Sequence, residues 1–175
     1  AKIERSERII ANIPALSEKK GDVDFFEVLD GKCSLDEFIA RLSISELEML
    51  THGDYKMNSP LGAKGNAGVF GGISESLREK GVPTVVTTDG PSGIRLMTYA
   101  SLLPCGTAIA STFNKDLVEK LYGAVAEEML KKGSDVLLAP GMNIHRDPLC
   151  GRNFEYFSED PVLSGYMASA VVKLS

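Results

Sequence analysis

An α/β fold on a parallel sheet is what this sequence predicts, and three observations carry that reading. Two short apolar runs, VPTVVTT at 82–88 and DVLLAP at 135–140, have the composition and length of buried strands. A long amphipathic pattern lies between them, and a second follows from about 160 to 173. Strands that alternate with helices join in parallel through crossover connections. The third observation is an incompleteness: two strands leave an apolar edge that needs a neighbour. The expectation is that a continuation or a second polypeptide supplies the remaining strands.

The elements follow in chain order. Residues 1–32 carry Ile3, Ile9, Ile10 and Ile13, then Val23, Phe25, Phe26, Val28 and Leu29, interrupted by Pro14 and Lys19-Lys20-Gly21; they read as a peripheral arm or linker. Ser34 with Glu37 fits a capping box ahead of the stripe Leu35, Phe38, Ile39, Leu42, and Ser43 with Glu46 fits a second one. These spacings suit one helix or a kinked pair. The Gly-, Asn- and Ser-rich stretch 54–72 reads as an irregular loop; it has neither the GxxxxGK[ST] nor the GxGxxG spacing of a phosphate cradle. A short helix is predicted at 74–80, ended by Gly81. The strand at 82–88 stops at Asp89-Gly90-Pro91. Asn114 is the predicted N-cap of a helix with Leu117, Val118, Leu121, Val125, Met129 and Leu130 on one side, and Gly133 ends it.

Composition narrows the function. With 43% hydrophobic and 25% charged residues the chain has a globular balance. The net charge of −5, with no Lys/Arg run, argues against nucleic acid or an anionic membrane surface as partner. Cys33, Cys105 and Cys150 are odd in number and show no CxxC spacing, so neither a disulfide framework nor a metal site is expected. No cofactor is called for, and a reducing, cytoplasmic setting is the expectation.

The chemistry concentrates at 143–161, NIHRDPLCGRNFEYFSEDP, just past the second strand. Two prolines and a glycine make a long regular element unfavourable there. His145, Arg146, Asp147, Arg152, Glu155, Glu159 and Asp160 lie among the aromatics Phe154, Tyr156 and Phe157, and aromatic faces beside planar hydrogen-bonding groups suit a sugar ring. If the two strands are parallel neighbours, Asp89, Arg95, His145 and Arg152 emerge at the same edge of the sheet, where α/β enzymes place their sites. Each residue also has a structural reading. Asp89 suits a turn before Gly90-Pro91, Arg95 and Arg152 suit ion pairs with loop carboxylates, and His145 suits a loop organiser better than a base.

Four phrases carry a family resemblance: TDGPSGIR at 88–95, SLLPCGTAIASTFN at 101–114, the segment DVLLAPGMNIHRDPLCGRNFEYFSEDP at 135–161, and SGYMASAVVK at 164–173. Together they resemble glycoside hydrolase family 3 β-glucosidases, from about residue 42 to residue 175. The resemblance implies a partial (β/α)8 TIM-like barrel, its first two or so βα units, behind an N-terminal helical lead-in. Residues 1–50 are then a helical arm or linker, and 51–175 the first part of the barrel domain. It implies retaining hydrolysis of a terminal β-linked glucose by two carboxylates. Asp89, Arg95 and Arg152 match the family's sugar-binding residues, with His145, Arg146 and Glu155 in support. The expected partners are a β-glucoside or oligosaccharide, and the rest of the enzyme, namely the remaining barrel and an α/β sandwich domain.

The departures matter equally. The family's Lys-His motif, its aspartate nucleophile in a Ser-Asp-Trp-like segment and its acid/base glutamate match nothing here; the chain has no Trp and no Lys-His pair. These residues alone are therefore expected to be inactive. LDEFIARLSISELEMLTHGDYKMNSP at 35–60 resembles the lead-in of members whose sandwich domain comes first, which makes Ala1 a cut point within a longer protein. The competing readings are a β-xylosidase or β-N-acetylglucosaminidase of the same family, and a noncatalytic carbohydrate-binding half-barrel.

Overall fold

The computed structural model describes residues 21–173. The N-terminal isoleucines at 3, 9, 10 and 13 lie outside the described residues. From there the lead-in is three short helices, each begun by a side-chain cap. Asp24 accepts the Phe26 N–H at the start of α1 (Phe25–Leu29). Ser34 and Glu37 exchange bonds with each other's backbone at α2 (Leu35–Ile39), and Ser43 and Glu46 do the same at α3 (Ile44–His52). The capping boxes are those the sequence predicts. They also decide between one helix and two: Ser43 is held extended, at φ −67° and ψ 158°, so the chain must break there.

The sheet follows. The glycine-rich stretch at 54–72, read from sequence as an irregular loop, contains a strand, β1 (Gly68–Gly71), antiparallel to β2 (Thr84–Asp89). The helix α4 (Glu75–Glu79) separates them. After α5 (Gly106–Ala110) comes α6 (Lys115–Lys132), capped by Asn114 on the Leu117 N–H and closed by Gly133 in the left-handed region. It returns the chain to β3 (Val136–Leu138), which pairs in parallel with β2 in the register Thr87↔Val136, Thr88↔Leu137, Asp89↔Leu138. Asp135 starts this ladder twice over: its N–H donates to Val86 O at 2.9 Å, and its Oδ2 accepts the Val86 N–H at 2.8 Å. The parallel neighbours joined by a helix are as the sequence predicts.

The polar stretch beyond β3 holds more regular structure than its composition suggests. β4 (Gly141–Ile144) and β5 (Tyr156–Ser158) form a second, parallel ladder, separated by a 3₁₀ turn at Asn153–Glu155. Asp160 then caps α7 (Pro161–Val172), with the proline at the first turn, where its missing N–H removes an orphan donor.

Two apolar clusters hold these elements. The larger joins Val118, Tyr122, Val125 and Met129 of α6 to Met167, Ala170 and Val171 of α7, with Phe157 of β5, Ile109 of α5, and Ile94 and Leu103 from the connection between β2 and α5. Phe157 and Met167 are 1% and 0% exposed, each burial worth roughly 1.5–3 kcal/mol. Leu117 and Leu130, predicted on the buried side of α6, are exposed, and Tyr122 is buried instead. The exposed Leu130 borders a cavity of about 560 Å³ between α6, β3 and α7, lined by Val125, Met129, Leu137 and Val171, and Leu138 of β3 is half-exposed. The smaller cluster packs Val23, Phe38 and Leu42 of the lead-in on Leu77 of α4.

One ion pair locks the lead-in to α4. Glu46 is 4% exposed and accepts from Lys80 Nζ at 2.6 Å and 2.7 Å. Burial alone would raise its pKa, but Lys80, the Ser43 N–H and hydroxyl, and Ser76 together lower it to about 2. A depressed folded-state pKa stabilises the fold at pH values above the unfolded pKa of 4.5, and that contribution is lost as pH falls towards 2. Replacing Lys80 by Met strands the buried carboxylate, and is expected to cost about 3–5 kcal/mol at pH 7 in urea unfolding. The loss shrinks at pH 3, where the unpaired Glu46 takes up a proton.

Candidate functional site

The site is built at the C-terminal end of β2. Asp89 is the last residue of that strand, and the chain turns immediately after it. The Gly90 N–H donates to Asp89 Oδ1 at 3.0 Å, and the Arg95 N–H donates to Asp89 O at 2.7 Å. The turn therefore folds Arg95 back beside the strand end, with its Nη2 3.5 Å from Asp89 Oδ2. Both side chains remain open to solvent, at 58% and 40% exposure. An ion pair this exposed adds at most about 1 kcal/mol to stability, so the arrangement is better suited to contacting a ligand than to holding the fold.

The second half comes from the stretch between β4 and β5. His145 donates its N–H to Ser158 O at 3.0 Å, sets Nε2 3.3 Å from Tyr156 O, and stacks on the Tyr156 ring at 6.1 Å. It is the loop organiser that its sequence context favours. Asp147 closes a turn by accepting the Leu149 N–H at 2.9 Å on Oδ1 and the Asn153 side-chain amide at 2.9 Å on its carbonyl. Arg146 is exposed, its N–H on Ile144 O at 2.8 Å.

Arg152 is the exposed end of a tethered pair. Its Nε donates to the carboxylate of Glu155, which is 6% exposed. Hydrogen bonding and charge from Glu155 hold the guanidinium above its ordinary pKa, and Tyr156 and Asp89 add to this at longer range. Asp89 thus pairs with Arg95 and also bears electrostatically on Arg152. The structure corrects one sequence expectation: Tyr156 and Phe157 are not sugar-facing rings, because both are buried in the core, while Phe154 is exposed.

Close packing fixes the Glu155–Tyr156 backbone. A Cβ on Gly106 would sit 2.8 Å from Glu155 O, and one on Gly141 would meet the same oxygen at 2.8 Å. Thr107 Oγ1 donates to Tyr156 O at 3.0 Å. The result is an exposed carboxylate and guanidiniums on rigid supports. A carboxylate accepts two hydroxyl protons at once, and a guanidinium offers a planar fork of donors, a combination suited to a vicinal diol. Among the described residues, no group of three His, Cys, Asp or Glu side chains could hold a metal ion.

Polar loops at the strand ends of a parallel β–α–β unit are the arrangement of a barrel-type α/β protein. Residues 63–174 match the family model described as Glycosyl hydrolase family 3 N terminal domain, and the chain belongs to that family. It is 47% identical over 174 residues to a β-glucosidase of Ruminococcus albus, covering 97% of this chain and 18% of that enzyme. A solved β-glucosidase from Paenibacillus barengoltzii superposes with a TM-score of 0.90 at 46% identity, over 99% of this chain and 20% of that one. β-Glucosidase 3B from Thermotoga neapolitana, solved with α-D-glucose, superposes with a TM-score of 0.67 at 39% identity, over 78% of this chain and 20% of that one. The fold is accordingly a partial barrel, and the chain spans about a fifth of the length of these relatives.

The packing makes a stability prediction. Gly141→Ala forces a methyl group against the Glu155 carbonyl and the Tyr156 ring, and is expected to destabilise the fold by about 1–3 kcal/mol. Thermal melting compared with a substitution at Gly151, where a Cβ meets nothing within 4 Å, measures it.

Proposed function

We propose that this chain is the first part of the barrel of a retaining β-glucosidase, and that it supplies the residues that grip the terminal non-reducing glucose. The observation that carries the reading is Asp89 at the end of β2, with Arg95 3.5 Å away and Arg152 within its electrostatic reach. The relatives are β-glucosidases, which supports the substrate class, and glucose is bound in the solved Thermotoga neapolitana enzyme.

In this mechanism the chain's own residues bind and orient. Asp89 accepts two sugar hydroxyl protons, Arg95 and Arg152 donate to hydroxyl oxygens, and Glu155 keeps Arg152 aimed by holding its Nε. His145 fixes the loop against Tyr156, and Arg146 stands exposed beside it as a further donor. The nucleophile and the acid/base carboxylate come from polypeptide outside these residues. Residues 1–50 serve as the lead-in and 51–175 open the barrel domain, whose further strands cover the edge of β3. The half-exposed Leu138 of β3, and the exposed Leu130 with the apolar cavity it borders, support that placement. The free thiols of Cys33, Cys105 and Cys150 suit a reducing compartment, and no helix among the described residues is long and apolar enough to cross a membrane.

The test is kinetic. In the full-length polypeptide, Asp89→Ala is expected to lower kcat/KM on an aryl β-glucoside about 100-fold or more, since each hydrogen bond to a charged group contributes about 1.5–3 kcal/mol. Unchanged turnover would remove Asp89 from the site. Residues 1–175 alone are expected to release no glucose from the same substrate.

A further inference from the structure

The stretch at 58–67 lies against the site and has no part in the mechanism above. It is joined to the site by one hydrogen bond and one close contact. The Met97 N–H donates to Lys64 O at 2.9 Å, and Gly65, at φ +88°, runs so close that a Cβ there would sit 2.5 Å from Met97 N and 2.9 Å from Leu96 C. Met97 is two residues from Arg95, whose own N–H is fixed on Asp89 O. The backbone bearing the Arg95 guanidinium is thus held at two points, one on β2 and one on this loop.

The loop is rigid for an identifiable reason. Asn66 is 0% exposed, and its side chain uses both ends: Oδ1 accepts the Ser59 N–H at 3.0 Å, and Nδ2 donates to Ser59 O and Ala63 O, each at 2.8 Å. Asn58, at φ +56°, accepts the Gly65 N–H on its Oδ1 at 2.7 Å and donates its own N–H to Asn66 O at 2.9 Å. The Ser59 hydroxyl donates to Asp54 Oδ2 at 2.6 Å, and the Ala67 N–H to Thr87 O at 2.9 Å, which seats the loop on β2. A buried amide with all these partners satisfied specifies a single loop conformation.

We propose that the loop at 58–67, keyed by the buried Asn66, is the positioning element for Arg95. It fixes the backbone that places the guanidinium beside Asp89, and so sets how tightly the sugar hydroxyls are gripped. Gly65 and Asn58 are positioning residues that act through Arg95 and need not touch the sugar. The inference rests on the reading of Asp89 and Arg95 as sugar-binding residues.

A double-mutant cycle tests it in the full-length polypeptide, with the inhibition constant for glucose against an aryl β-glucoside as readout. Arg95→Ala is expected to raise that constant about tenfold or more, as loss of a hydrogen bond to a charged group does. Gly65→Ala should raise it by about tenfold, and the double variant should match Arg95→Ala within about twofold, because coupled sites are not additive. Asn58→Gly removes the acceptor for the Gly65 N–H while keeping a residue suited to positive φ. It guards against a Gly65 variant that does not fold, and is expected to raise the constant about threefold when Arg95 is present and to leave it unchanged in the Arg95→Ala background. A glucose constant unchanged by both loop variants, with only the melting temperature lowered, would overturn the positioning role. So would loop effects that multiply with Arg95→Ala. If Arg95→Ala itself leaves the constant unchanged, the sugar-binding reading fails, and the positioning role with it.

Discussion

The parallel ladder between β2 and β3 is the constraint on which the rest of this structure depends. Asp135 fixes its start by binding both backbone groups of Val86, and Asp89↔Leu138 is its last paired step. That register puts the Asp89 turn and the 141–158 segment at the same end of the sheet. A shift of one residue would send alternate side chains to the opposite face and separate Asp89 from the strand edge where the polar groups gather. The site is therefore a product of strand register before it is a matter of individual side chains. Gly106 and Gly141 then complete it, by letting the Glu155–Tyr156 backbone approach closely enough to tether Arg152.

Much of this was legible because its signals are local. Ser34/Glu37, Ser43/Glu46, Asn114 and Asp160 announce helix starts within three or four residues, and the β-branched run at 84–88 announces a strand. What was hidden depends on distant partners. β1 is four residues, two of them glycine, and becomes a strand only through pairing with 84–87. β4 and β5 are short segments inside a polar stretch, and each exists because the other lies beside it. Tyr156 and Phe157 looked like sugar platforms because composition does not reveal which way a ring points. The candidate residues Asp89, Arg95 and Arg152 stand out in sequence through the phrases that contain them, whereas Asn66 carries no signal beyond an asparagine in a glycine-rich stretch.

Burial is distributed unevenly, and the pattern has a physical logic. α6 and α7 share a dense apolar seam, while β3 leaves Leu138 51% exposed and Leu130 of α6 is 79% exposed. Apolar strands with an open edge and an apolar groove beside them are the surfaces that parallel sheets ordinarily cover. The polar end of the sheet differs in kind. There the groups are held by hydrogen bonds and close backbone packing, and the charges face solvent. An exposed carboxylate paired with an exposed guanidinium contributes little to folding and leaves both groups open to a ligand.

A crystal structure of the full-length polypeptide with glucose tests whether Asp89 and its neighbouring guanidiniums hold the sugar. Sugar hydroxyl oxygens are expected within about 3.2 Å of the Asp89 carboxylate and of an Arg95 or Arg152 guanidinium nitrogen. Glucose seated elsewhere, with Asp89 facing only Arg95 and solvent, would contradict it.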